Sequence, residues 1–175
     1  MLSGGARNQF GDGKNVVDTC YVENCAHAHI LAVKALVKAS GHPPLPATKK
    51  VEGEAFFVTD DKPIPFWAFS RLAARTAGVP VKDEEIRSIP RWFILGVAFL
   101  LKWVYWIFTA GTKAPVLRMH AVRITTMERT VNIDKIKERL GYEPQVTTEE
   151  GMKRAVKWYF EVYGGGDHIE KSKEL

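Results

Sequence analysis

The stretch Asp18-Thr19-Cys20-Tyr21-Val22-Glu23-Asn24-Cys25-Ala26-His27-Ala28-His29-Ile30-Leu31-Ala32, running on to Gly41, decides the fold. Asn24 is a residue type that caps helix N-termini, and after it Ala26, Ile30, Val33 and Val37 recur at three- and four-residue spacing. The spacing predicts a helix from Cys25 to Ala39, with Gly41 as its left-handed stop. A carboxylate, a phenol and an amide thus sit in the turn before a helix, and the physical default for such a corner is structural.

Working outward, turn signals at Gly4-Gly5 and Gly11-Asp12-Gly13 flank short extended candidates at Asn8 to Phe10 and Asn15 to Val17. The proline-rich stretch Gly41 to Pro46 predicts an exposed loop. Ala55-Phe56-Phe57-Val58-Thr59, bounded by Gly53 and Asp60-Asp61, predicts a buried strand. Phe66, Phe69, Ala73 and Thr76 predict one face of a second helix ending near Gly78. Ile133, Ile136 and Leu140 make a short helix closed by Gly141, and Thr147-Thr148-Glu149-Glu150 is a capping box opening a last helix. Strand, turn and helix in this order read as α/β.

The 175 residues are 46% hydrophobic and 26% charged, which suits one globular domain and argues against a disordered or multi-span chain. Cys20 and Cys25 are too few for a disulfide framework, so the expected setting is reducing. A net charge of +5 suits an anionic partner, yet no nucleic-acid motif accompanies it, and no nucleic-acid partner is expected.

From Trp92 to Phe108 the chain carries one charge, Lys102. A helix of that length covers about 25 Å, short of a hydrocarbon core of about 30 Å. Arg91, Lys102 and Lys113 lie eleven residues apart, so a helix continuing that far would hold all three on one stripe. The pattern suits a helix lying in a membrane interface, with Trp92, Trp103, Tyr105 and Trp106 at headgroup level. A buried core or pocket helix and a true span stay open, the span costing about 2.5 to 3.5 kcal/mol for a central lysine.

His27 and His29 near Cys20 and Cys25 do not have a zinc spacing, so no metal is expected. His42, His120 and His168 have no triad pattern around them. Neither glycine cluster, Gly4 to Gly13 or Gly164 to Gly166, follows a strand and opens a helix, so neither is a phosphate cradle.

The run Gly11-Asp12-Gly13-Lys14-Asn15, then Asp18-x-x-Tyr21-Val22-x-Asn24-x-Ala26-x-Ala28-His29, resembles the 3β-hydroxysteroid dehydrogenase/isomerase family of extended short-chain dehydrogenases, closest to its fungal sterol-4α-carboxylate 3-dehydrogenase branch. Gly53 to Asp61 with Pro63 and Trp67, Ile89-Pro90, Leu140-Gly141-Tyr142-x-Pro144 and Glu150-Gly151 follow in family order. The resemblance spans residues 8–160, with a flexible tail expected over 161–175 and a membrane-associated apolar segment at about 91–110.

The resemblance implies the C-terminal part of a Rossmann-type fold, mainly the substrate-binding subdomain, helix-rich with a few short strands. It implies NAD- or NADP-dependent oxidation of a sterol 3β-hydroxyl, on the cytosolic face of the endoplasmic reticulum membrane. Expected partners are a sterol or steroid and a membrane surface, with a homodimer left open. Tyr21, Asn24 and Trp67 become substrate-binding candidates, and Arg91, Trp92, Lys102, Trp103 and Trp106 membrane-associated ones. The family's Gly-x-x-Gly-x-x-Gly loop and its catalytic Tyr-x-x-x-Lys do not occur here, so no catalytic or main cofactor-binding residue is expected in these residues. The alternative is a non-catalytic sterol-binding or interaction module.

Overall fold

The computed structural model describes residues 6–43, 45–109, 112, 117 and 119–163. Gly4-Gly5, Pro44, Lys113, Pro115 and the segment from Gly164 to Leu175 lie outside the described residues. In chain order the elements are β1 (Asn8–Phe10), β2 (Val16–Val17), α1 (Val22–Ala39), β3 (Ile64–Pro65), α2 (Phe66–Thr76), β4 (Arg87–Ile89), α3 (Arg91–Thr109), α4 (Met119–Thr126), α5 (Asp134–Leu140) and α6 (Thr148–Tyr163). The described residues form two compact units. One draws on the chain up to Val17, on Pro65–Arg129 and on the chain from Val156; the other holds Asp18–Ile64 and Thr130–Ala155.

In the first unit β1 and β4 pair in parallel, Asn8 opposite Arg87 and Phe10 opposite Ile89. The Gly11 amide extends the ladder by donating to the Ile89 carbonyl at 2.9 Å. Ile94 and Ala98 of α3 and Val122 of α4 are buried together, with Phe10 and Ile89 packed against them. Asn15 ties down the end of α4, its Nδ2 donating to the carbonyls of Thr125 and Met127 at 3.1 and 3.3 Å. On α2 the buried positions are Trp67 and Ala74, with Ala77 just beyond. The expected face of Phe66, Phe69, Ala73 and Thr76 is half-buried, while the indole of Trp67 is buried beside Phe10.

In the second unit Ala28, Ile133, Ile136 and Tyr142 form the core, with Leu31, Phe56 and Val58 packed against it. Helix α1 begins three residues before the expected start, since the Cys25 amide already donates to the Tyr21 carbonyl at 3.0 Å. Its buried residues are Asn24 and Ala28, while the expected apolar face of Ile30, Val33 and Val37 is exposed, because α5 and Tyr142 meet the other side. Ala55 to Thr59 alternates outward and inward as a strand does, yet it joins no ladder among the described residues. Without neighbouring strand amides and carbonyls the alternating pattern gives an extended segment and not a sheet strand.

Gly141 closes α5 at φ +62°, its amide donating to the Lys137 carbonyl. Thr147 caps α6, its hydroxyl accepting the Glu150 amide at 3.3 Å. The reciprocal half of the expected capping box is replaced by a contact from Arg154 Nε to Glu150 at 3.0 Å. Because α6 runs to Tyr163, residues 161–163 are helical and not part of a tail.

Candidate functional site

The corner before α1 is built around a carboxylate that the sequence pattern marked only as a strand boundary. Asp60 is 7% exposed. Its Oδ1 accepts the Tyr21 amide at 2.8 Å and Asn24 Nδ2 at 2.7 Å. Its Oδ2 accepts the Thr19 hydroxyl at 2.9 Å and the Thr148 hydroxyl at 3.4 Å. The Asp60 amide in turn donates to the Thr19 carbonyl at 2.8 Å. A buried carboxylate needs this saturation, since an unpaired one would cost several kcal/mol. Placed at the start of α1, it also meets the positive end of the helix dipole.

Asn24 is 0% exposed, and every polar position of its amide is used. Nδ2 donates to Asp60 and to the Val146 carbonyl at 2.7 Å; Oδ1 accepts the amides of Gln145 and Val146 at 2.9 and 3.0 Å. It neither caps α1 nor has a group left for a substrate, so this candidate is a structural clasp between the corner and the bend at Gln145 and Val146 before α6. Trp67 is likewise buried. It is 5% exposed, its Nε1 donates to the Phe10 carbonyl at 3.2 Å, and its ring meets Phe10 and Phe66 edge-on. It is a core residue of the first unit.

Tyr21 keeps a polar atom at the surface. Its phenol donates to Glu23 Oε1 at 3.3 Å, in an exposed contact. Partial burial, then the Glu23 carboxylate, raise its pKa above the ordinary value, the opposite of what a phenolate base needs. Cys20 is exposed, yet partial desolvation by the surrounding protein, followed by the neighbouring Cys25 and Asp60, pushes its thiol up to about 11, which keeps it protonated at neutral pH. Tyr142, whose hydroxyl donates to the Thr59 carbonyl at 2.9 Å, is pushed up to about 12, chiefly by burial. His29 Nδ1 lies 2.7 Å from the Cys25 carbonyl and His27 stacks obliquely on Tyr142. Among the described residues no three metal-ligating side chains cluster.

The membrane candidates fall on α3 of the first unit. Trp92, Trp103 and Trp106 are exposed, as are Arg91 and Lys102. The helix is long and apolar enough to cross a membrane by length and composition, but only 11% of its apolar window is buried.

Residues 2–89, half of the chain, match the 3-beta hydroxysteroid dehydrogenase/isomerase family. The chain belongs to that family. The sterol-4-alpha-carboxylate 3-dehydrogenase (decarboxylating) of Gibberella zeae is 35% identical over 156 residues, covering 89% of this chain and 49% of that protein. The 3beta-hydroxysteroid-dehydrogenase/decarboxylase isoform 1 of Arabidopsis thaliana is 38% identical, covering 84% of this chain and 32% of that one. This family member thus spans about half, or less, of the length of the curated relatives it matches. The solved structure described as "Crystal structure of gox2253" superposes with a TM-score of 0.60 at 18% identity, covering 94% of this chain and 42% of that one. The fold is α/β and corresponds to the C-terminal part of a Rossmann-type extended short-chain dehydrogenase fold, helix-rich with few short strands.

A nicotinamide dinucleotide, which the family implies, finds no cradle among the described residues. Gly11 and Gly13 join β1 to β2 at φ +78° and +72°, and no helix begins there to face a pyrophosphate. The space a Cβ would take at Gly13 is filled by the chain's own Gln9 amide. These glycines serve a tight turn, with the Lys14 amide bonded to Asp12 at 3.1 Å.

Proposed function

We propose that the protein serves the NAD- or NADP-dependent oxidation of a sterol 3β-hydroxyl to the ketone, with loss of a 4α-carboxyl group, at the cytosolic face of the endoplasmic reticulum membrane. The observation that carries this reading is the match of 89% of the chain to a sterol-4-alpha-carboxylate 3-dehydrogenase. The chemistry is coherent: a 3-ketone places a carbonyl β to the 4α-carboxylate, and such acids lose carbon dioxide readily.

In this reading the described residues supply the substrate side. The Asp60 clasp fixes the corner that carries Tyr21, and Tyr21 is the substrate-contact candidate that keeps an exposed polar atom. Neither the dinucleotide loop nor the proton acceptor is assigned to these residues, so no step of hydride transfer is derived from them.

The test is to read the coding frame upstream of Met1, express the chain it encodes and assay it with a 4α-carboxysterol. The reading predicts a Gly-x-x-Gly-x-x-Gly loop, a Tyr-x-x-x-Lys and formation of reduced nicotinamide. A chain carrying both motifs that oxidises no 3β-hydroxysterol overturns it; a frame closed by a stop codon favours a non-catalytic sterol-binding module.

A further inference from the structure

From Ile86 to Met127 the chain holds no aspartate or glutamate, but it holds Arg87, Arg91, Lys102, Lys113, Arg118 and Arg123. The protein's 20 acidic residues all lie outside it and outnumber the remaining cations by one, so the whole of the net positive charge arises in this segment. Within it lies α3, whose two faces differ. Ile94 and Ala98 are buried against Val122, Phe10 and Ile89 of the same unit. At the opposite helical positions Trp92 is 75% exposed and Phe99, Trp103 and Trp106 about half. Their rings continue one another, Phe99 to Trp103 at 6.3 Å between centroids and Trp103 to Trp106 at 5.9 Å. Arg91 and Lys102, eleven residues apart, share a flank between the packed face and the aromatic one.

We propose that the first unit docks on an anionic bilayer surface by laying α3 lengthwise in one leaflet, without crossing it. The inference deepens the membrane part of the reading above and rests on it. A spanning helix has lipid or other membrane helices around it, whereas α3 is fastened along its first turns to a parallel strand pair and to α4, which carries the exposed cation Arg123. The outer aromatic face enters the boundary between headgroups and acyl chains, where tryptophan is favoured. The flanking cations extend to the headgroups, and the segment's lack of acids leaves no like charge facing an anionic lipid.

The test uses the full chain with phosphatidylcholine vesicles, with and without phosphatidylserine, read by flotation and by tryptophan quenching from lipids brominated near the headgroup or near the bilayer centre. The expected result is flotation with the phosphatidylserine vesicles, release by raised salt, and stronger quenching by the shallow bromines. Lys102→Gln, at an exposed position, weakens binding to those vesicles about fivefold and leaves binding to neutral vesicles unchanged. Trp103→Ala weakens both. Quenching strongest at the bilayer centre, or equal binding to both vesicle types, overturns the one-leaflet docking while leaving membrane association in place. Absence of binding to either vesicle overturns both.

Discussion

The ring of Tyr21 occupies the space that a side chain at position 151 would need. A Cβ built on Gly151 stands 2.8 Å from Tyr21 Cγ and Cδ2. Gly151 is a buried residue of α6, where alanine would otherwise be favoured over glycine by about 1 kcal/mol. Gly151→Ala is therefore expected to destabilise the fold by about 1 to 3 kcal/mol through overpacking. In a Tyr21→Ala background the same substitution is expected to be close to neutral. Urea unfolding of the four chains of this double-mutant cycle measures the coupling.

Asp60→Asn replaces an acceptor of four hydrogen bonds with a group that presents an N–H₂ to two of the donors. The expected loss is about 3 kcal/mol, since hydrogen bonds to a buried charge are the stronger kind. A urea midpoint that falls with an unchanged slope confirms a loss of stability within a two-state transition.

Much of this was legible in the chain. The α1 corner, the caps at Thr147 and Gly141 and the extended segments at Asn8 and Val16 followed from local chemistry, and the structure shows each. Which face of α1 is buried was not legible, because Ile30, Val33 and Val37 satisfy the helical period as well as Ala28 and Leu31 do, and tertiary packing chose the latter. The role of Asn24 was missed for a related reason. A cap and a clasp have the same residue type, and the partners that decide between them, Gln145 and Val146, lie more than a hundred residues away. Asp60 gave no signal at all beyond its place at the end of an apolar run. Helix α4 went unseen in a stretch that reads as mixed and basic.

Trp67→Phe keeps the ring packing against Phe10 and removes the Nε1 donor to its carbonyl. The expected cost is about 1 to 2 kcal/mol, because the part-buried carbonyl loses its partner. Sterol affinity of a chain that binds sterol is expected to be unchanged. A selective loss of sterol affinity without loss of stability would return Trp67 to the substrate site.

Burial in the folded state pushes the Tyr142 phenol from its ordinary 10.0 up to about 12. The folded state thus keeps the proton more tightly, so this contribution is complete below about pH 10 and is lost as pH rises from 10 to 12. Stability measured across that window is expected to fall, and Tyr142→Phe is expected to fall less steeply. Cys20, raised from 9.0 to about 11, adds a fall of the same sign between pH 9 and 11 in both chains.

The most direct test of the sterol reading is product analysis by mass spectrometry after the chain encoded by the full reading frame is incubated with a 4α-carboxysterol and NAD or NADP. The account predicts a 3-ketosterol that has lost carbon dioxide, formed together with reduced nicotinamide. Recovery of unchanged substrate from a folded chain that carries both family motifs would contradict it.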